Sequence, residues 1–579
     1  MFAGKTFSWL GWALLEVFVA GFVVAQNTAP AAQHPGMAQT PPAPARKSVA
    51  FDDFVDSAIR QERRLADLMH YYKPVVETYI QEEKPDPDLG TVPKGDNYFL
   101  SRLDLTGKAP ANVPFEQQES FKQRVEKTLT QSMQPFAAAG FAQAVFPDLN
   151  HFDRHNYTFE FVRMEVLGEV RCAAIDVKPR ENSINRGFVG RIWVEDQNFN
   201  IVRFTGTYTS KALSKRTFHF DSWRVNTLSI MWMPAYVYTE ESDPKDPSSH
   251  GLWFKAQTRI WGYDLEHAGD HKEFAKPLTD TPAWVDPKRH EASQDLSPAY
   301  TLGKTTYTAE DDVVERLQVA GLMAADGEVD QILQTVTNNL LVTNDLDIAG
   351  VRCRVLLTTP LESFVIGRTI VVSRGLLDVL PDETTLAAVL AHELAHIVLR
   401  HSLGDGYLSS FSVAFSDLET FAHLNFRFDP AEEAAADKKG LELFSKSPYK
   451  DQFASAALFL EVLEARSSQL PYLLRGTFSN DFGGSHLVGM QALANSPKHL
   501  QMDRLDQISA LPLGSRIKVD PWSDRIEMIK SKPVRLLTAS EKMPFEVSPF
   551  FPYLKRLDGH EKAQAGTQAR QSGDPHLHE

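Results

Sequence analysis

Two kinds of apolar periodicity run through this chain, and they fall in different places. Residues 49–150 predict a mainly helical region, with loops near "KPDPDLGTVPKGDN". From about 151 the pattern changes to short runs rich in aromatic and β-branched residues: "YTFEFVRMEVLGEVRCAAIDVKP", "GFVGRIWVEDQNFNIVRFTGTYT", "RTFHFDSWRVNT" and "LWFKAQTRIWGYD". Apolar and polar residues alternate within Arg216–Phe220, and turn signals separate the runs, so 151–265 predicts an antiparallel sheet with "VEDQNFN" as a hairpin connection. Residues 266–305 are polar and proline-containing and read as a linker. After 306, apolar residues recur at three-and-four spacing in "AEDDVVERLQVAGLMAADGEVDQILQTVTNNLLV", which predicts helix. Strand candidates "CRVLLTT" and "RTIVVS" follow, and then the helical "DETTLAAVLAHELAHIVLRHS". The fold class expected is α+β: a mainly helical region with a small sheet, preceded by an antiparallel β-rich domain.

Composition sharpens this picture at the ends. The first residues, "MFAGKTFSWLGWALLEVFVAGFVVAQ", place one lysine before an apolar run and small residues up to Ala25, the layout of a secretory signal. Glu16 within the run makes a permanent bilayer span costly, so a cleaved signal is preferred over an uncleaved anchor. Residues 26–48, rich in Pro, Ala and Gln, read as a flexible spacer, and the polar tail 557–579 as disordered. A net charge of −15 argues against nucleic acid or an anionic membrane surface as partner. Cys172 and Cys353 are the only cysteines. They could bridge in an oxidising compartment or sit buried as free thiols, the reading preferred here; two cannot build a cysteine-rich metal site.

The candidate chemistry lies in residues 383–402. Asp382 predicts the helix N-cap, with Glu383 in the first turn. Leu386, Val389, Leu390, Leu394, Ile397 and Val398 form a core-facing stripe at helical spacing. His392 and His396 stand four apart, so their rings leave one face one turn apart, where one tetrahedral zinc ion can take both. Glu393 lies about 100° further round. It misses the metal but can reach a water on it. The alternative is a pair of hydrogen-bonded core histidines.

A catalytic zinc needs a third protein ligand and one open position. "FDPAEEAAADKKGLELF" offers it: Asp429 and Pro430 predict a helix start, Glu432 completes an approximate capping box, and Glu433 and Asp437 share one face. One carboxylate can bind metal while the other orients a ligand histidine. Alone, the two would read as ordinary solvated helix charges. The pair His151 and His155 lacks an adjacent glutamate, and His576 and His578 lie in the tail, so neither pair is assigned to a metal.

With "HELAH", the following Arg400–His401 pair, "EAAAD" at 433–437, and "TIVVSRGLLDVL" before the first helix, the chain resembles the zinc endopeptidase family that includes the CAAX prenyl protease, HtpX and BepA. The resemblance covers about 306–465, with 471–556 as the C-terminal part of the same domain. Carried over by position, it implies that His392, His396 and Glu433 bind one Zn2+ per chain, that Glu393 is the general base, and that Asp437 orients a ligand from behind. Hydrophobic spans like those of the membrane relatives are absent around the motif, which points to the soluble, exported branch. The family's N-A-F before the edge strand is "LESFVIG" here, and its late H-P and arginine become "NSPKHLQMDR". His486 and Arg504 are therefore both candidates for stabilising the transition state. The β-rich domain, through "GRIWVEDQNFNIVRF", resembles the half-barrel of lipoprotein-carrier proteins over about 110 residues; its aromatics equally suit an ordinary core.

These readings imply a zinc-dependent endopeptidase, periplasmic or membrane-anchored, that acts on extended or unfolded polypeptides. "TIVVS" is the expected edge strand for the substrate. The rival is a chaperone or lipid-binding protein with latent peptidase activity, in which 404–428 covers the cleft and the β-rich domain binds lipid or envelope proteins.

Overall fold

The computed structural model describes residues 50–86, 90–104, 111–114, 142–181, 186–210, 217–228, 231–242, 252–263, 313–401, 425–480, 510–514, 516–529, 545–549 and 552–556. The expected signal, spacer, linker and tail, together with His486, Arg504 and nearly all of 404–428, lie outside these residues.

Helix α1 (Phe51–Met69) turns Val55, Ala58, Ile59, Glu62, Leu65, Ala66 and Met69 inward at helical spacing. It lies against a ten-stranded antiparallel sheet of β1 (Val75–Asp86), β2 (Gly90–Asp104), β3 (Ala111–Pro114), β4 (Tyr157–Leu167), β5 (Val170–Pro179), β6 (Arg186–Glu195), β7 (Ile201–Ser210), β8 (Thr217–Leu228), β9 (Met231–Ser242) and β10 (Leu252–Trp261). The order is β3-β2-β1-β10-β9-β8-β7-β6-β5-β4: β4 to β10 form a meander, and β1 adds antiparallel to β10. The β6–β7 connection is the expected hairpin, in which Glu195 accepts from the backbone N–H groups of Gln197, Asn198 and Asn200.

The helical expectation for 49–150 is thus corrected beyond Met69, because 75–104 are two strands of the same sheet. The reason is tertiary. Strand β1 buries Glu77, Thr78, Gln81 and Glu83 as well as Val75, Val76, Tyr79 and Ile80, so no polar–apolar alternation marks it. Its buried polar groups find partners far away in sequence: Gln81 exchanges hydrogen bonds with Phe545 O and Val547 N.

Alternate sheet residues serve two cores. Val76, Ala173, Ile175, Ile192, Val194, Ile201, Phe204 and Val237 pack with α1, where Arg224 forms a buried two-pronged ion pair with Glu62 at 2.6 Å. Val75, Tyr79, Cys172, Ala174, Trp193, Val202, Trp223 and Trp261 belong to a core continuous with that of residues 313–545. Both cysteines are buried free thiols. The described C-terminal segments do not complete the helical region alone, as the expected boundaries would have it. They also run onto the sheet, where Glu169 N donates to Leu554 O and Arg556 pairs with Glu195.

In the second half, α2 (Glu328–Thr343) precedes a small sheet of β11 (Arg352–Leu356), β12 (Ser363–Ile366) and β13 (Thr369–Ser373), in the order β11-β13-β12. Hence "TIVVS" is the central strand, parallel to β11 and antiparallel to β12, and the edge expectation is corrected. Among the described residues the edge beside the motif helix is β12, folded back by a tight turn at Gly367 (φ 58°). Helices α3 (Arg374–Val379), α4 (Glu383–Leu399), α5 (Pro430–Ser445), α6 (Phe453–Arg466) and α7 (Pro471–Leu474) follow, then the hairpin β14 (Ile517–Val519) and β15 (Ile526–Met528). Helix α4 is buried all round from Thr384 to His396 rather than along one stripe, because α2, α5, α6 and β12 surround it. Among the described residues no helix is long and apolar enough to cross a membrane.

Candidate metal centre

Helix α4 starts where its sequence says it should: Asp382 accepts from Thr385 N at 2.8 Å. It ends at Arg400, whose left-handed conformation (φ 58°) turns His401 back toward the last helical turn. Helix α5 is capped by Asp429, which accepts from Ala431 N and Glu432 N, while Glu432 reaches back to Asp429 N. The caps fix the start of each helix and so the face on which His392, His396, Glu433 and Asp437 project.

The two helices meet at Gly440. A Cβ there would stand 2.9 Å from the His392 Cα, so only glycine lets α5 come this close. The approach brings Glu433 Oε2 within 3.3 Å of His392 Nε2 and 3.6 Å of His396 Nε2, and the two Nε2 atoms are 3.2 Å apart. One ligand atom from each of these three buried residues falls within 4.8 Å of the others. Among the described residues this is the one cluster of its kind; His151 and His155 are exposed and lie outside it.

Behind the three stand further groups. Asp437 Oδ1 lies 2.9 Å from His392 Nδ1, which leaves Nε2 to face Glu433. His401 Nδ1 is 3.0 Å from His396 Nδ1, and the Phe428 ring stacks on the His396 ring at 4.0 Å. Asn480 donates to Glu433 Oε1 at 2.5 Å. Ser363 Oγ, on β12, donates to Glu393 Oε1 at 2.6 Å. Its neighbour Glu362 is fully buried and collects backbone N–H groups of residues 477–479 and the Thr358 hydroxyl. Sequence reasoning singled out neither Asn480, Ser363 nor Glu362, and gave His401 no role; the one signal was that "LESF" departs from the family's N-A-F.

The electrostatics suit a cation. Burial by itself would lower the His392 imidazole, but hydrogen bonds to Asp437 and Glu433 and the charge of Glu393 outweigh it and push it up to about 10. Burial and the neighbouring His396 lower His401. A neutral His401 can accept the His396 Nδ1 proton, which is the tautomer needed if His396 Nε2 is to hold a metal. Two imidazole nitrogens and a carboxylate oxygen, each ring fixed from behind, fit the donor set and support of a zinc site.

Residues 329–417 match the model of peptidase family M48; the match includes both histidines and ends before Glu433. The comparison with curated proteins gives no match. Among solved structures, the chain is similar to a domain described as an outer membrane lipoprotein-sorting protein from Vibrio parahaemolyticus, at 13% identity over 37% of this chain and 97% of that one, with a TM-score of 0.21. It is similar also to a DUF1329 family protein from Desulfovibrio piger, at 11% identity over 37% and 93%, with a TM-score of 0.22. Nothing about function passes to this chain from likenesses at that level. The α+β class rests on the strands and helices themselves, and the segment that carries the histidine pair is similar over residues 329–417 to peptidase family M48, which supports a metallopeptidase.

Proposed function

We propose that the protein is a zinc-dependent endopeptidase that cleaves extended or unfolded polypeptides, with His392, His396 and Glu433 as zinc ligands and Glu393 as general base. The observation that carries this reading is the convergence of one donor atom from each of the three ligands, on two helices, within 4.8 Å. Zinc bound there supplies Lewis acidity, polarising a carbonyl and acidifying water. Glu393, held by Ser363, takes the proton of the attacking water and returns it to the leaving amine. Asp437 and His401 hold the two rings in register. The outer edge of β12 offers main-chain groups to an extended substrate, which suits recognition with little dependence on side chains.

The reading of residues 1–25 as a secretory signal makes this an exported, periplasmic enzyme; N-terminal sequencing of the mature protein checks it. The acyl-carrying alternative requires an open apolar face on the sheet. Among the described residues, the inner strands pack one face against α1 and bury the other in the core shared with the peptidase region. The decisive experiment is metal analysis with a casein cleavage assay on the wild type, Glu433→Ala and Glu393→Gln. The expected result is one zinc per wild-type chain, loss of zinc and activity in Glu433→Ala, and zinc without activity in Glu393→Gln. Unimpaired cleavage by Glu393→Gln would defeat the assignment.

A further inference from the structure

Glu433 carries two carboxylate oxygens, and they stand in different surroundings. Oε2 faces the two histidines, while Oε1 accepts the Asn480 amide. The Asn480 Nδ2 also donates to Phe428 O at 3.1 Å. Both partners are acceptors only, so the amide has one consistent orientation, its NH2 toward Glu433. Phe428 is the residue whose ring stacks on His396, so the same amide touches one proposed ligand, Glu433, and the support of a second.

Asn480 is itself held firmly. It follows Ser479 in the stretch 476–480, a short strap. Arg427 donates to Ser479 O at 3.0 Å and Gly476 O at 3.3 Å, and Phe426 N donates to Phe478 O at 2.8 Å. Glu362 takes the Phe478 N–H at 3.0 Å from the other side. The turn that starts the strap is too tight for a side chain: a Cβ on Gly476 would stand 2.5 Å from Ser479 Oγ and 2.7 Å from Ser479 O. Adjacent residues of β12 and its approach thus serve two parts of the site, Ser363 holding Glu393 and Glu362 holding the strap.

We infer that Asn480 is a positioning residue for metal binding: it occupies Glu433 Oε1, makes Glu433 a one-oxygen ligand through Oε2, and is delivered by the strap that Glu362 and Arg427 anchor. This deepens the zinc reading above and rests on it. Without the amide, Oε1 loses the donor that occupies it and can compete with Oε2 for the metal, so affinity falls and coordination changes.

The test uses the full chain as wild type, Asn480→Ala, and Asn480→Leu, which keeps the volume and lacks the donor. Zinc affinity is measured by chelator competition, the coordination by visible absorption of the cobalt-substituted forms, and the fold by thermal unfolding of the metal-free proteins. Both variants are expected to bind zinc ~10–100-fold more weakly and to show altered cobalt bands, with unchanged metal-free unfolding. Wild-type affinity and cobalt bands in both variants overturn the inference and leave the zinc site standing. A wild-type chain that takes up no zinc overturns both.

Discussion

The groups closest to the chemistry differ in how they are held, and the difference shows what each substitution should do. Glu393 keeps one carboxylate oxygen on the Ser363 hydroxyl, at the start of an edge strand rather than on its own helix. Removing the hydroxyl in Ser363→Ala leaves the proposed ligands untouched and frees the carboxylate to turn. The expected loss is about tenfold in kcat, the size of one hydrogen bond to a charged group, with zinc content unchanged by metal analysis. Glu393→Gln should cost more, roughly 10²–10⁴-fold, measured on the zinc-loaded variant. The histidine pair and the glutamate between them were legible because one helical turn relates them. Ser363 and Asn480 were not, because they reach Glu393 and Glu433 from 30 and 47 positions away in the chain. Serine and asparagine are common enough that nothing local sets these two apart.

At the level of elements, the site depends on how closely α4 and α5 approach. Gly440→Ala places a methyl group 2.9 Å from the His392 Cα, and backbone cannot yield there as a flexible side chain would. The helices must separate, which moves Glu433 and Asp437 away from the histidines. Overpacking of this kind costs typically ~1–3 kcal/mol. The variant is therefore expected to unfold at lower denaturant and to lose zinc. Asp429→Ala should remove the α5 cap and cost about 1 kcal/mol, with a smaller effect on zinc because the helix contact at Gly440 remains; equilibrium unfolding and chelator competition separate the two effects. Both caps were readable in advance, since the capping residue and its helix are neighbours in sequence. The role of Gly440 was not, since a glycine within a helix shows its purpose only when the facing helix is present.

For the whole molecule, the sheet and the peptidase region are joined by buried charge. Glu77 on β1 accepts from Arg374 at 2.6 Å, from the Thr359 hydroxyl at 2.7 Å and from Thr359 N, and the Tyr98 hydroxyl adds a fourth bond. Arg374 in turn meets Asp378, which caps the backbone N–H groups of Gly514 and Ile517. Glu77→Ala leaves Arg374 buried with one of its two carboxylate partners, a loss of ~3–5 kcal/mol. Because Thr359 and Glu362 share one connection into β12, the change should also lower activity, although Glu77 lies in the sheet. A denaturant titration and the cleavage assay read the two effects.

Three other buried carboxyls give a pH signature. Burial is the chief cause that raises Glu83 to about 7, Asp96 to about 6 and Glu362 to about 7. Their folded values exceed the unfolded ones, so the folded chain holds more protons between them. The stability they contribute is complete below the ordinary carboxyl range and is lost as pH rises through 6 and 7. The metal-free protein should therefore resist denaturant better at about pH 5.5 than at about pH 7.5. Glu362→Gln should flatten part of that slope; an unchanged slope would remove Glu362 from the account.

By itself the sequence determined what neighbouring residues can decide: the motif helix and its cap, the capped helix of Glu433, the meander from 157 to 261 with its Glu195 turn, and the α+β class. Each follows from a period, a cap or a turn that acts within a few residues of chain. Only the tertiary structure decided the rest. Strands β1 and β2 belong to the large sheet because their buried polar groups meet partners hundreds of positions away. The edge beside the site is β12, because pairing on both sides makes β13 central. Asn480 and Ser363 stand where they do because separate segments pack together, and hydrogen bonds across such distances leave no periodic mark on the sequence.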